Sequence, residues 1–279
     1  MAKLFSLASW NIEHFGKPWG DAARAKVKKV VEFIKIQNPD VIGIYEVESS
    51  EIYGELVNQM PGYTYHITEG DQAQEILVGI RNGFTAFITQ KLEFKSGDTF
   101  LRPGVLLTIN IDGQHFPILF LHTKSGNDAR GFGLRDDMLS RALKFRKVMQ
   151  KAGTDNYIVV GDLNTMGMSY PYGHSIDAKD EIKRMSNKAK GYYDMRPLTK
   201  TNQATFSNGS TSSIPPSELD HVFAAETMKF TVFDTPKGKG EVDVRGWADF
   251  TDVAGQDKWI KEFSDHCLLY LEVLDQSNA

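Results

Sequence analysis

The sequence predicts an α/β protein in which helices cover β-sheets within one domain, residues 1–279. Three observations predict it. Short apolar runs alternate with helical patterns along the whole length, Asn82-Gly83 and Asp112-Gly113 mark tight turns, and no low-complexity stretch or internal repeat divides the chain. Strand clusters mixed with intervening helices, antiparallel hairpins included, point to sheets covered by helices.

Each element follows from its local pattern. KLFSLASW (3–10) reads as a first strand. Over 21–37, Val27, Val30, Val31 and Ile34 recur at the spacing of one helix face, and Pro39 ends that helix. DVIGIYEV (40–47) is a compact buried strand and EIYGELVNQM (51–60) a short helix. Strand-like runs follow at 63–68, 76–81 and 84–94, with Asn82-Gly83 as a hairpin signal between the last two. A clearer hairpin joins 105–111 to 114–123. An amphipathic helix is expected over 134–151, then the core strand NYIVVGDLN (156–164) and a surface helix over 180–190. STSSIPPS from Ser210 is a loop. ELDHVFAA (218–225), KFTVFD (229–234) and CLLYLEVL (267–274) complete the strands.

Composition narrows the function classes. A hydrophobic content of 41% with 24% charged residues is that of an ordinary globular chain. Net charge −4 and a pI near 6.0 argue against wholesale electrostatic binding to nucleic acid or membrane, though not against a local basic face. Cys267 is the single cysteine, which excludes an intramolecular disulfide and a cysteine zinc site and fits a reducing compartment. The N-terminus lacks the apolar core and cleavage site of a signal peptide, so a cytoplasmic location is expected, or secretion if a leader has been trimmed. No run reaches the roughly 18 apolar residues that span a bilayer, so no membrane association is expected.

The chemistry-bearing residues stand at strand ends. VIGIYEVES ends on Glu46 and Glu48, PILFLHTKSG on His122 and Lys124, and YIVVGDLN on Asp162 and Asn164, while Asp265 and His266 precede CLLYL. Rigid strand ends reached by water are where reacting groups are usefully placed. Glu46, Asp265 and Asn11 offer hard oxygen ligands suited to Mg²⁺, with Mn²⁺ able to substitute. No zinc-type HExxH, phosphate-binding glycine loop or nucleophilic-serine elbow occurs, so a water nucleophile fits best.

In order, SWNIEHFG, PDVIGIYEVE, FLHTKSG, VVGDLNT, SELDHVFAA and FSDHCLLYLEV resemble the motif set of the endonuclease/exonuclease/phosphatase superfamily, from Trp10 to Val273. The resemblance implies a four-layer α/β sandwich of two mixed, mainly antiparallel sheets face to face, flanked by helices. It also implies a site. Asn11, Glu46 and Asp265 match metal-site residues. Asp162 and Asn164 match the pair that positions the attacking water and the scissile phosphate. His266 matches the histidine beside the phosphate, Asp220 the carboxylate that orients it, and His122 a second phosphate-facing histidine. Two positions depart from the pattern: Tyr45 stands where the family often has Gln, and Glu218-Leu219-Asp220-His221 replaces Arg-x-Asp-Tyr.

Neighbouring polar and aromatic residues take plainer roles. His221 falls on the opposite strand face from Asp220 and is expected to be structural. Glu48 is expected to be solvated, Cys267 and Trp10 to pack, and the aromatics of MSYPYGHS (Tyr170, Tyr172) to pack their loop. Glu13 shares the face of Asn11 and reaches a metal through water if the strand continues.

Residues 95–151 carry ten Lys or Arg against five Asp or Glu, a local excess of five positive charges. Arg102 and Lys124 are the candidate phosphate contacts, and a polyanion would bind there with salt sensitivity. The reading is a Mg²⁺-dependent phosphodiesterase acting on DNA or RNA by in-line water attack, with no obligate protein partner. The alternatives are a phosphatase or phosphodiesterase for inositol phosphates or phospholipid headgroups, and a non-catalytic binding protein on the same fold.

Overall fold

The structure, a computed structural model, describes residues 2–70 and 74–275. In chain order the elements are β1 (Lys3–Phe15), α1 (Asp21–Gln37), β2 (Val41–Val47), α2 (Glu51–Gln59), β3 (Tyr63–Ile67), β4 (Glu75–Arg81), β5 (Thr85–Lys91), β6 (Gly104–Ile111) and β7 (Gln114–His122). Then come α3 (Ala129–Lys151), β8 (Ile158–Asp162), α4 (Ala178–Tyr193), β9 (Met195–Pro197), β10 (Asp220–Ala225), β11 (Phe233–Thr235), β12 (Gly238–Gly240), β13 (Asp243–Arg245), α5 (Val253–Glu262) and β14 (Leu268–Leu274). Among the described residues, two six-stranded sheets form in the orders β13-β14-β1-β2-β4-β3 and β5-β6-β7-β8-β10-β9, with β11-β12 as a separate hairpin. Both sheets are mixed, each containing one parallel pair among antiparallel ones. These helix-bearing sheets are the components of the expected four-layer α/β sandwich. They fall in two compact units: Met1–Phe84, Thr199–Ser217 and Lys229–Ala279 form the first, and Thr85–Leu198 with Glu218–Met228 the second.

In the first unit, β1 lies between β14 (antiparallel) and β2 (parallel), and all three strands are largely buried. α1 buries Val27, Val30, Val31 and Ile34, the face its spacing predicts. It stops at Asn38, which takes the left-handed conformation (φ 49°) and donates its N–H to the Ile34 carbonyl ahead of Pro39. β1 runs five residues beyond the expected end, because a register shift between Asn11 and Phe15 lets it keep pairing with β2. β13 gives no sequence signal, since three residues of mixed polarity show no alternation; its place is set by pairing with β14. KFTVFD forms a strand only from Phe233, while Phe230 makes an isolated bridge to Val273.

Asn82-Gly83 is not a hairpin turn. β4 pairs with β2 and β3, whereas β5 pairs with β6, so this turn passes the chain from one sheet to the other. Asn82 is instead tied to the start of β3, donating its backbone N–H to the Gly62 carbonyl and its amide to the Pro61 carbonyl. A tight-turn sequence reports backbone chirality and not which strands pair across it.

In the second unit, β5-β6-β7 form the meander expected from Asp112-Gly113, and β8 adds to β7 in parallel. α3 begins at Ala129, five residues before the expected start, because the Asp128 side chain caps it by accepting from the N–H groups of Arg130 and Gly131. Leu139 and Leu143 of α3, Met185 and Ala189 of α4, and Leu119, Val159 and Phe223 of the sheet belong to one core cluster. Each buried Leu or Phe contributes on the order of 1.5–3 kcal/mol by leaving water.

The arginines of the basic stretch 95–151 are largely paired, while Lys144, Lys147 and Lys151 of α3 are exposed. Arg135 is fully buried and makes a bidentate pair with Glu181 (2.7 and 3.0 Å), while Arg146 is buried and pairs with Asp155. Arg130 and Arg141 are held by Asp98 and Asp137. Arg135 also donates to the carbonyls of Lys124, Gly126 and Gly167 (2.9–3.1 Å), so it pins the loops that follow β7 and β8. Sequence counting finds the charge but not the partners that consume it.

Candidate active site

In the first unit the expected residues gather where β1 and β2 end and β14 begins. Asn11 pairs in register with Tyr45, so alternation alone would send Glu46 to the other face. Glu46 instead adopts φ 60° where the register with β1 and β4 shifts, and its Oε1 accepts the Asn11 Nδ2 amide hydrogen at 3.1 Å. Its Oε2 accepts from the His14 backbone N–H (3.1 Å) and the Gln74 amide (2.9 Å). Tyr45, the departure from the family pattern, is fully buried with its hydroxyl 3.0 Å from that of Ser9.

Asp265 and His266 are both buried. Their backbone is fixed from several sides: the Trp247 and Trp10 indoles donate to the Asp265 and His266 carbonyls (3.1 and 2.9 Å), and Ser207 donates its N–H to the Asp265 carbonyl (2.9 Å). The Ser264 hydroxyl donates to the Asn11 carbonyl (2.8 Å) and accepts the His266 N–H (3.1 Å), joining the two motifs directly. The Phe206 ring stands edge-on to the His266 imidazole, centroids 5.0 Å apart. Burial pushes the Asp265 carboxyl up to about 6, and the charges of Glu13 and Glu46 add to the rise against the lowering effect of His266.

Three residues here, Glu48, Lys26 and Ser264, take roles that sequence reasoning does not find. Glu48 is not solvated. Its side chain is only 3% exposed and is engaged by His14, Lys17 (2.9 Å) and Gln74 (3.3 Å); burial raises its carboxyl, but these bonds outweigh that and hold it below the usual range. Lys26 of α1 donates its ammonium to the Glu13 carbonyl at 3.0 Å. Burial lowers its pKa, opposed by the charges of Glu13, Asp265 and Glu46. Glu13 itself is exposed. Neither lysine nor serine carried a signal, because α1 reads as an ordinary amphipathic helix and one serine in a loop has no pattern.

In the second unit three expected residues form one row. His122 ends β7, Asp162 ends β8 and Asp220 begins β10, and they stand in register as His122↔Asp162↔Asp220 across adjacent strands. Residues in register share a face and lie one strand spacing apart, about 4.8 Å. All three are buried, and His122 Nε2 is 3.5 Å from Asp162 Oδ2. Asn164 adopts the left-handed conformation (φ 48°), which asparagine tolerates; its N–H donates to Asp162 Oδ1 (3.0 Å) and its amide to the Thr123 carbonyl (3.2 Å). The chain reversal after β8 therefore brings Asn164 back to Asp162. His221, on the opposite face as expected, is buried with Nε2 2.8 Å from the Thr165 hydroxyl.

Arg102 is half-buried in the segment before β6, and Lys124 is half-buried two residues after β7 ends. Cys267 and Trp10 are core residues, as expected. The packing expectation fails for Tyr172, which is 89% exposed with its ring edge-on to that of Tyr170.

Asn11, Glu46 and Asp265 are all oxygen donors, the set that suits Mg²⁺ or Mn²⁺. Burial is the main cause of the raised Asp265 carboxyl, and the part added by the charges of Glu13 and Glu46 is what a bound cation would relieve, so this donor set fits a divalent metal. His14, Glu46 and Glu48 also present ligand atoms within 4.8 Å of one another.

Comparison with known proteins follows the same lines. Residues 8–266 match the Endonuclease/Exonuclease/phosphatase family. None of the curated proteins matches the sequence. Among solved structures, TDP2 of D. rerio complexed with single strand DNA product superposes at TM-score 0.66 with 16% identity, over 97% of this chain and 99% of that one. TDP2 from C. elegans superposes at TM-score 0.64 with 15% identity, over 97% and 75%. A mannosyl-6-phosphatase of Bacteroides thetaiotaomicron does so at TM-score 0.60 with 14% identity, over 97% and 100%. At such identities the likeness is one of fold.

Proposed function

Because the chain belongs to the Endonuclease/Exonuclease/phosphatase family, we propose that it is a divalent-metal-dependent phosphodiesterase that hydrolyses nucleic acid by in-line attack of water. Family membership supports hydrolysis of a phosphoester as the activity class. The observation that carries the reading is the turn of Glu46 out of strand alternation onto Asn11, which brings their oxygen donors together and supports an oxygen-ligand site there. The nucleic-acid substrate draws support from a relative in fold bound to single strand DNA product.

Asn11, Glu46 and Asp265 would hold the metal, which when bound neutralises charge on the phosphoryl and departing oxygens. The residues of the other unit enter by motif order. Asp162, kept in place by the Asn164 N–H, orients the attacking water and takes its proton as the new O–P bond forms and the bond to the departing oxygen breaks. The departing oxygen takes a proton from solvent. His266 donates a hydrogen bond to a phosphoryl oxygen, with Asp220 assigned to hold its tautomer, and His122 supports the same charge. Arg102 and Lys124 are assigned to flanking phosphates.

A second reading has an observation of its own. A cavity of about 610 Å³ opens beside Glu48, lined by Glu69, Glu75, Tyr53 and Thr68. Such carboxylates would repel a phosphate chain and suit a polyol, which favours a sugar or inositol phosphate; a mannosyl-6-phosphatase is similar in fold. A substrate panel separates the two. Plasmid, linear and abasic duplex, RNA, inositol phosphates, sugar phosphates and a bis-aryl phosphodiester are offered in Mg²⁺, Mn²⁺ and EDTA. Metal-dependent cleavage of nucleic acid is the expected result. Turnover of the sugar or inositol phosphates with nucleic acids intact would transfer the assignment to the second reading, and no metal-dependent cleavage at all would end both.

A further inference from the structure

We infer that the groove between α1 and α5 binds the phosphate backbone of the nucleic-acid substrate on one side of the scissile bond; the inference rests on the nucleic-acid reading above. The open groove has a volume of about 680 Å³ and is lined by Ala22, Ala25, Lys26 and Lys29 of α1 and by Lys258 and Lys261 of α5. Its acids are already engaged. Glu262 pairs with Lys29 at 3.2 Å, and Asp257 accepts the Ser210 N–H at 2.8 Å together with the Ser210 hydroxyl hydrogen. Lys258 and Lys261 are exposed, stand three apart on one helix face, and have no ion-pair partner among the described residues.

The groove is built to hold its shape. Trp259 and Phe263 of α5 stack at 5.1 Å, and Phe33 of α1 meets them at 6.0 and 5.8 Å. Trp10 of β1 joins at 5.8 Å from Trp259 and donates its indole N–H to the His266 carbonyl, so one aromatic cluster fixes both the helices and the catalytic histidine. Lys26 ties the groove to the candidate metal residues: its ammonium is bonded to the carbonyl of Glu13, two residues after Asn11, and feels the charges of Asp265 and Glu46.

Dimensions suit a strand. From Ala22 to Lys29 is about 10 Å at 1.5 Å rise per helical residue. At about 3.4 Å per nucleotide for a strand stacked as in a duplex, that is room for at most roughly three nucleotides. Lys258 and Lys261, exposed and unpaired among the described residues of a chain of net charge −4, offer positive charge to neighbouring backbone phosphates, with Lys26 and Lys29 lining the same groove. A sugar monophosphate would leave most of the groove unused.

The test is binding of a short fluorescent single-stranded oligonucleotide to the full chain in EDTA, read by anisotropy across a salt series. The double variants Lys258→Glu/Lys261→Glu and Lys258→Gln/Lys261→Gln are compared with Lys144→Glu/Lys147→Glu, which makes the same charge change on exposed positions of α3. Each phosphate contact in a single strand contributes about 0.7 to the slope of log affinity against log salt, so the α5 variants should lose roughly 1.4 in slope. The glutamate pair should weaken binding at least about tenfold and the α3 pair far less. Oligonucleotide binding unchanged in the α5 variants, or weakened equally by the α3 pair, overturns the groove while the nucleic-acid reading stands. A wild-type chain that hydrolyses small phosphoesters yet neither binds nor cuts oligonucleotides overturns both.

Discussion

Asp265→Asn should stabilise the metal-free protein while impairing its response to metal. The Asp265 carboxyl is buried and raised from the usual 3.8 to about 6, chiefly by burial and further by Glu13 and Glu46. A carboxyl whose folded pKa exceeds its unfolded value binds its proton more tightly when folded. Stability is therefore fully present below about pH 3.8, is lost as pH rises towards 6, and stays lost above it. Roughly two units at 1.36 kcal/mol each amount to about 3 kcal/mol at neutral pH. Asparagine keeps the shape and the Ser264 contact without the charge, so it should recover about 2–3 kcal/mol, on the order of 5–10 °C in Tm at this chain length. The assay is thermal melting of wild type and variant in EDTA and in Mg²⁺, from pH 4 to 8. The variant should match wild type near pH 4 and exceed it above pH 6.5 in EDTA, and should lose most of the Mg²⁺-induced rise that wild type shows. A variant that melts lower in EDTA at pH 7.5, or a difference independent of pH, would refute the electrostatic reasoning.

Other consequences follow from the same contacts. Glu46→Ala and His266→Ala should each lower turnover by about 10²–10⁴ with circular dichroism and melting nearly unchanged, as measured by steady-state kinetics on the best substrate of the panel. Arg135→Met should cost about 3–5 kcal/mol in chemical denaturation, because it strands buried Glu181, and the double variant with Glu181→Leu should recover much of that loss. If the double variant is no better than the single one, the stranded charge is not the cause.

Much of this protein is legible in its sequence because the strongest signals are also the structural ones. α1 shows its buried face through four residues at helical spacing, and β7 and β8 show theirs as continuous apolar runs that end in His122 and Asp162. Period two then suffices to separate Asp220 from His221. What alternation cannot give is the reversal at Glu46, where a register shift and a positive φ override it. Nor does charge counting reveal pairing: Arg135 and Glu181 are 46 residues apart, and only folding brings them to 2.7 Å. Glu48, Ser264 and Lys26 carry no sequence signal of their roles, because their partners lie on other elements and a single chain position holds no trace of them.

The most direct test of the central claim is the rate of phosphodiester cleavage of an end-labelled oligonucleotide, followed in Mg²⁺, in EDTA, and in EDTA with excess Mg²⁺ restored, for wild type and His266→Ala purified in parallel. Cleavage by wild type that needs Mg²⁺, returns with it and is lost in the variant is the result these contacts predict. Cleavage that persists in EDTA, or that His266→Ala retains at the wild-type rate, would contradict it.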